Sequence, residues 1–201
     1  MTLDQDLADT VGALMQSRRT ILPKRLVTPG PHTAHLRQIL AAAASAPDHG
    51  QVRPWRFVIV PERARAALAQ AFGGALLERD PRATPEQILQ AQEKAHRGPC
   101  LMLVVVNANC GDTAVDLNER IVSIGCAVQN MLLVATALGY GSSLTSGKAL
   151  KSAVLRALFG LVGGEHALCF ISVGTIESRK LSPRQRPVPD DYVSTLVPPQ
   201  P

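Results

Sequence analysis

The sequence predicts one domain that mixes helices with buried strands. Segments of helical periodicity alternate with short apolar runs along the whole chain. The runs at 55–60, 101–106 and 167–173 have the length of strands, and 46% hydrophobic with 18% charged residues marks a folded chain, not a disordered one. The 201 residues suit a single unit spanning 1–201, long enough to bury a sizeable core.

Leu3, Leu7, Val11, Leu14 and Met15 recur at helical spacing, so a first amphipathic helix is expected, running out at Gln16-Ser17-Arg18-Arg19-Thr20. Pro23, Pro29 and Pro31 mark a loop. Thr33 is expected to cap a second helix reaching Ala46, with Leu36, Ile39, Leu40 and a run of alanines as its apolar face. Pro47 stops it, because proline and the residue before it disfavour further helical turns. A polar loop covers 48–53. Pro54 should force Arg53 into extended geometry, and Trp55 opens a β-branched and aromatic run that reads as a buried strand.

Residues 62–72 and 85–96 read as helices, joined by Gly73-Gly74 and a polar stretch, with Thr84-Pro85 as the second start signal. The continuous apolar run 101–106 predicts a central strand. From Asp116 to Leu138 comes the longest helix. Ser123, Gly125, Gln129, Asn130 and Thr136 interrupt its apolar stretch, which fits a core helix better than a membrane span. Being apolar on nearly every side, it needs partners on nearly every side, and this points to a subunit interface. Gly139 is its expected C-cap. A short strand and turn through 141–147, a helix around 149–158, a Gly163-Gly164 turn and a last buried strand at 167–173 complete the order. From about residue 176 the chain becomes an extended basic arm rich in proline.

The net charge of +5 admits an anionic ligand, but 3% aromatic residues hardly supply stacking platforms for bases and the basic residues are scattered, so nucleic acid is not expected. A phosphate-bearing small molecule accounts for the charge. Cys100, Cys110, Cys126 and Cys169 stand far apart with no C-x-x-C pair, so they are expected to be small core residues and no metal site is read. Early acids and the lack of an apolar core of signal-peptide length suggest a cytoplasmic protein. No membrane association is expected.

Several stretches can carry chemistry, and each has a plain structural account beside it. Asp48, His49, Gln51 and Arg53 are either a polar cluster aimed at a ligand or a turn satisfying its own backbone. Arg18 and Arg19 either answer the dipole of the first helix or clamp a phosphate, where a charge-assisted bond contributes about 1.5–3 kcal/mol. The small residues of 139–147 let backbone amides approach a ligand, and equally suit a buried strand and turn. They are not a P-loop, since Gly147-Lys148 is followed by Ala149, and they contain no G-x-S-x-G elbow. Arg179, Lys180, Arg184 and Arg186 form either a solvated arm or part of a phosphate site.

Taken in order, Arg18-Arg19-Thr20, Ala46-Pro47-Asp48-His49, Pro54-Trp55-Arg56-Phe57, Gly125-Cys126-Ala127, Gly139-Tyr140-Gly141, Ser146-Gly147 and Val173-Gly174-Thr175 resemble the FMN-dependent nitroreductase family, in particular its short single-domain branch. The resemblance implies an α+β fold with a central mixed β-sheet surrounded by helices. It also implies an intertwined homodimer with FMN at each subunit interface. By position, Arg18, Arg19 and Thr20 would hold the FMN phosphate and ribityl chain, and His49 would lie against the flavin. Ser45 stands where relatives can place a basic residue on the flavin. Leu144, Thr145 and Ser146 would line the ring, with Gly147 allowing close backbone approach, and Lys180 or Arg184 would complete the phosphate site. Thr20 replaces a common serine, and Leu144 replaces a larger aromatic, which alters the space over the flavin.

The activity implied is an NAD(P)H oxidoreductase. NADH or NADPH would reduce the flavin, leave, and be replaced by a small-molecule electron acceptor such as a nitroaromatic or quinone, giving ping-pong kinetics with no amino-acid nucleophile. No G-x-G-x-x-G with a downstream acid is present from which to choose between NADH and NADPH. Flavin or ene reduction on the same fold, and a non-catalytic flavin- or anion-binding protein, are the alternatives.

Overall fold

The computed structural model describes residues 3–178 and 186–198, so the expected phosphate ligands Lys180 and Arg184 lie outside the described residues. Five strands form one sheet: β1 (Leu26–Val27), β2 (Trp55–Ile59), β3 (Cys100–Asn107), β4 (Gly141–Thr145) and β5 (Glu165–Ile176). Around it stand α1 (Leu3–Ser17), α2 (Thr33–Ala41), α3 (Arg65–Arg79), α4 (Pro85–Glu93), α5 (Leu117–Ala137) and α6 (Ala153–Leu158). The architecture is α+β. The strand ladders are antiparallel: β5 pairs with β3 on one side and with β4 and β1 on the other, while β2 pairs with β3. A parallel bridge from Thr20 to Ser142 extends the sheet beyond β4 and makes it mixed.

β3 is buried on both faces, which is why its sequence is a continuous apolar run instead of an alternating one. Met102, Val104 and Val106 join Ile171 and Val173 against α2 and α5, meeting Ile39, Ile124 and Met131. Leu101, Leu103 and Val105 join Phe170 on the opposite face, against Leu68 of α3 and Leu155 of α6. Each fully buried large aliphatic contributes about 1.5–3 kcal/mol, so this strand anchors both layers. β2, expected to be buried, instead lies at the sheet edge, with β3 its one strand neighbour among the described residues, half-buried and ending on exposed Ile59.

Several boundaries differ from those the sequence predicts. His32, not Thr33, caps α2, its Nδ1 accepting from the His35 N–H, and the helix tightens into a 3₁₀ turn over Ala42–Ser45 before Pro47. α3 continues through Gly73-Gly74. A Cβ on Gly73 would meet Gln92 Nε2 at 2.9 Å and one on Gly74 would meet Val154 at 3.4 Å, so the pair lets α4 and α6 come close. The chain turns after Asp80, and Thr84 and Gln87 form the capping box of α4. Arg53 is not extended before Pro54: its φ is 45°, and its N–H donates to Asp48 Oδ2 at 2.9 Å.

Asp116 caps α5 by accepting from the Glu119 N–H. By length and composition this helix could cross a membrane, yet one side packs on α2 and the sheet and buries Arg120. The Arg120 guanidinium donates to the carbonyls of Asn107, Cys110, Asp112 and Val115. The other side exposes Leu117, Ile121 and Val122, and α1 likewise exposes Leu7, Val11 and Met15.

Candidate functional site

The parallel bridge carries Arg18-Arg19-Thr20 to the edge of β4, where the Ile21 N–H donates to the Ser142 carbonyl at 2.9 Å. From Ser142 the strand runs to Thr145, about 10 Å further on. Register puts Thr145 opposite Phe170 and Leu144 opposite Ile171. Adjacent strand residues face opposite ways, so Thr145 turns to the α3 layer and Leu144, half-exposed, to the α5 layer. Thr145, Ser146 and Gly147 then line a cleft of about 800 Å³ between the sheet, α3 and α4. Leu144 does not.

Phe72, Leu76, Leu101 and Phe170 give the cleft an apolar floor. Around it stand Lys24, Arg79, Lys94, Arg97 and Lys148, against the single carboxylate of Asp80. Gly147 has extended backbone, φ 172° and ψ 175°, and a Cβ there would meet nothing within 4 Å, so the space beside its Cα is open, while its carbonyl accepts from the Leu150 N–H at 3.1 Å. This volume and lining suit a flat molecule bearing negative charge. Lys24, Lys94 and Arg97 were not singled out from the sequence. They sit in segments with no motif, and only the packing of α4 on α3, across the cleft from the sheet, gathers them.

At the end of α1, Arg19 Nη1 donates to the carbonyls of Gln16 and Arg18, which is the helix-dipole role. Arg186 arrives from the far end of the chain and donates to the carbonyls of Met15 at 3.3 Å and Gln16 at 3.1 Å. Arg186, one of the four basic residues of the arm singled out in the sequence, thus reaches the Arg18-Arg19 corner. Both guanidiniums keep further N–H groups for an anion.

The loop that stands out in the sequence is elsewhere. β2, which follows it, lies three strand spacings from β4, about 14 Å across the sheet. Ser123, near the start of α5, donates its hydroxyl to the Pro47 carbonyl. From there to Gly139, beside β4, the helix rises about 24 Å. Ser45 and His49 are both exposed, and His49 Nδ1 lies 2.6 Å from Glu119 Oε2. The Glu119 hydrogen bond is the main cause of a raised His49 pKa. Arg18, Arg19 and Thr20 thus stand beside Ser142 at the start of β4 without lining the cleft that Thr145–Gly147 line, and Ser45 and His49 lie at the opposite edge.

The four cysteines are free and half-buried. Burial pushes the Cys169 thiol up to about 11 and also raises Cys100, so neither is a ready nucleophile.

A family model described as "Nitroreductase family" matches residues 15–175. A protein of Escherichia coli strain K12, provisionally named NAD(P)H nitroreductase YdjA, is 32% identical over 186 residues, covering 90% of this chain and 96% of its own. Among solved structures, a nitroreductase-like family protein from Bacillus cereus superposes with a TM-score of 0.76 at 19% identity, over 92% of this chain and 95% of that one. A variant of NfnB, an FMN- and NADPH-dependent nitroreductase from Sphigopyxis sp. strain HMH, gives a TM-score of 0.72 at 16% identity, over 91% and 97%.

Proposed function

Because this chain belongs to the nitroreductase family, and is an oxidoreductase on that ground, we propose that it is an FMN-dependent NAD(P)H oxidoreductase that reduces nitroaromatics, quinones or similar small acceptors. The observation that carries this reading is the cleft beside β4, with its apolar floor and cationic rim. A flat aromatic ring suits the floor, and a phosphate with close to two negative charges suits guanidinium and ammonium donors. The chain's residues fit FMN.

In this reading Arg18, Arg19 and Thr20, joined by Arg186, hold the phosphate and ribityl chain. Thr145, Ser146 and Gly147 support the ring, and Lys94 and Arg97 answer negative charge that develops on it. When bound, FMN supplies two-electron chemistry, taking a hydride from NAD(P)H and passing the electrons to the acceptor. The chain's part is to bind, orient and balance charge.

The separation of Ser45 and His49 from that cleft suits a site completed by a second copy. The exposed apolar faces of α1 and α5 provide the surface for a homodimer, in which the 45–53 loop of one chain meets the flavin of the other. We place the protein in the cytoplasm, working as one domain.

An absorbance spectrum recorded before and after anaerobic NADPH or NADH tests the assignment. Flavin bands that bleach are the expected result, and a colourless protein that takes up no added FMN overturns it. Parallel lines in initial-rate plots against both substrates are expected for the ping-pong order; intersecting lines overturn it.

A further inference from the structure

The His49–Glu119 pair is held more firmly than an exposed contact requires. Its side chains are 72% and 45% exposed, and exposed ion pairs add little to stability. Glu119 nonetheless sits in the first turn of α5, its N–H on Asp116 Oδ1, where the helix dipole favours a carboxylate. On the other side, Gly50, Gln51 and Arg53 all have positive φ, at 66°, 51° and 45°. Such conformations in Gln and Arg persist only where the surroundings impose them, and they gather at functional sites.

Here the surroundings are identifiable. Asp48 Oδ2 accepts from the Arg53 N–H, the Cys110 thiol lies 3.4 Å from the Val52 carbonyl, and Ser123 holds the Pro47 carbonyl. The loop is fixed at both ends. What it projects is one imidazole, with Nδ1 committed to Glu119 and Nε2 left on the far side of the ring.

We propose that Glu119 is a positioning residue that presents the Nε2–H of His49 as proton donor to the acceptor reduced at the second copy's site. The inference rests on the oxidoreductase reading and on the homodimer proposed with it, and adds a named proton source. Reducing a quinone to a hydroquinone takes up one hydride, which NAD(P)H supplies overall, and one proton. That proton leaves Nε2 for a quinone oxygen while the N–H electron pair stays on the nitrogen. Neutral imidazole then regains a proton from water, to which it is exposed. The charged groups around His49 are Glu119 on α5, Asp112 on the loop after β3, and Asp48 and Arg53 on its own loop. Glu119 and Asp112 both favour the imidazolium. Donation is therefore complete at low pH and fades as pH rises through the raised His49 pKa.

The test compares the flavin-loaded wild type with Glu119→Gln, using histidine-labelled protein and His49→Asn to assign the resonance. In Glu119→Gln the His49 titration should move to lower pH. The alkaline limb of kcat for a quinone should follow it by the same amount, so that kcat falls on that limb, and the quinone KM and flavin content should hold. An unmoved titration overturns the pairing. A titration that moves while the rate profile stays put overturns the donor role. A protein that never takes up FMN defeats the oxidoreductase reading instead, a result visible in the spectrum before any histidine is titrated.

Discussion

Glu165 shows what a single ion pair does where burial is deep. Its carboxylate takes Arg56 in a two-point contact, Nε to Oε1 at 2.6 Å and Nη2 to Oε2 at 2.8 Å, and also accepts from the Val162 N–H. The Arg56 hydrogen bond is the main reason the Glu165 pKa lies below the ordinary carboxylate range. A lowered folded pKa means the stabilisation is fully present above the unfolded value of about 4.3 and is lost as pH falls through the folded one. Glu165→Gln should cost about 2 kcal/mol at pH 7, less than for a fully enclosed pair because Arg56 is partly exposed. Urea midpoints measured from pH 7 to pH 3 check this: the gap between wild type and variant should close on acidification. At the cofactor site, Arg18→Ala should weaken FMN binding by about tenfold or more, since one charge-assisted bond contributes about 1.5–3 kcal/mol. Flavin retained after dialysis reports it, and full occupancy would remove Arg18 from the phosphate site.

Among the elements, β4 begins at a tightly enclosed glycine. A Cβ on Gly141 would come within 2.7 Å of both Ile176 and Leu26 and 3.1 Å of Ile21, neighbours from β5, from β1 and from the segment leading into β1. Gly141→Ala should therefore destabilise by about 1–3 kcal/mol, read as a lower thermal midpoint. Elements with a local signal were legible in the sequence: the apolar run of β3, the Thr84-Pro85 start of α4, the Asp116 start and Gly139 end of α5. Those decided by distant partners were not. Gly73-Gly74 carries the same local mark as a turn, and only the approach of α4 and α6 makes it helical. β2 has the composition of a central strand, yet nothing in its own residues says that one side lacks a neighbour. The site divides in the same way. Thr145, Ser146 and Gly147 belong to a recognisable run, whereas Lys24, Lys94 and Arg97 meet only after α4 packs on α3 across the cleft from the sheet.

For the whole molecule, the unpartnered apolar faces of α1 and α5 set the assembly expected in solution. Val122 is 66% exposed on α5, and Val122→Glu would place a charge where a second copy's apolar face is expected. The wild type should sediment as a dimer at micromolar concentration. The variant should shift towards monomer and lose flavin with it, while a variant that stays dimeric would place the interface elsewhere. The Thr20–Ser142 bridge has a further consequence, for synthesis. Thr20 emerges early from the ribosome, but its partner strand lies more than half the chain later, and Leu26 pairs with Ile176 later still. At about 5–20 residues per second the delay is on the order of ten seconds. Through that interval the first helix and its arginines have no sheet to join, so the half of the molecule made first is the half that must wait to fold.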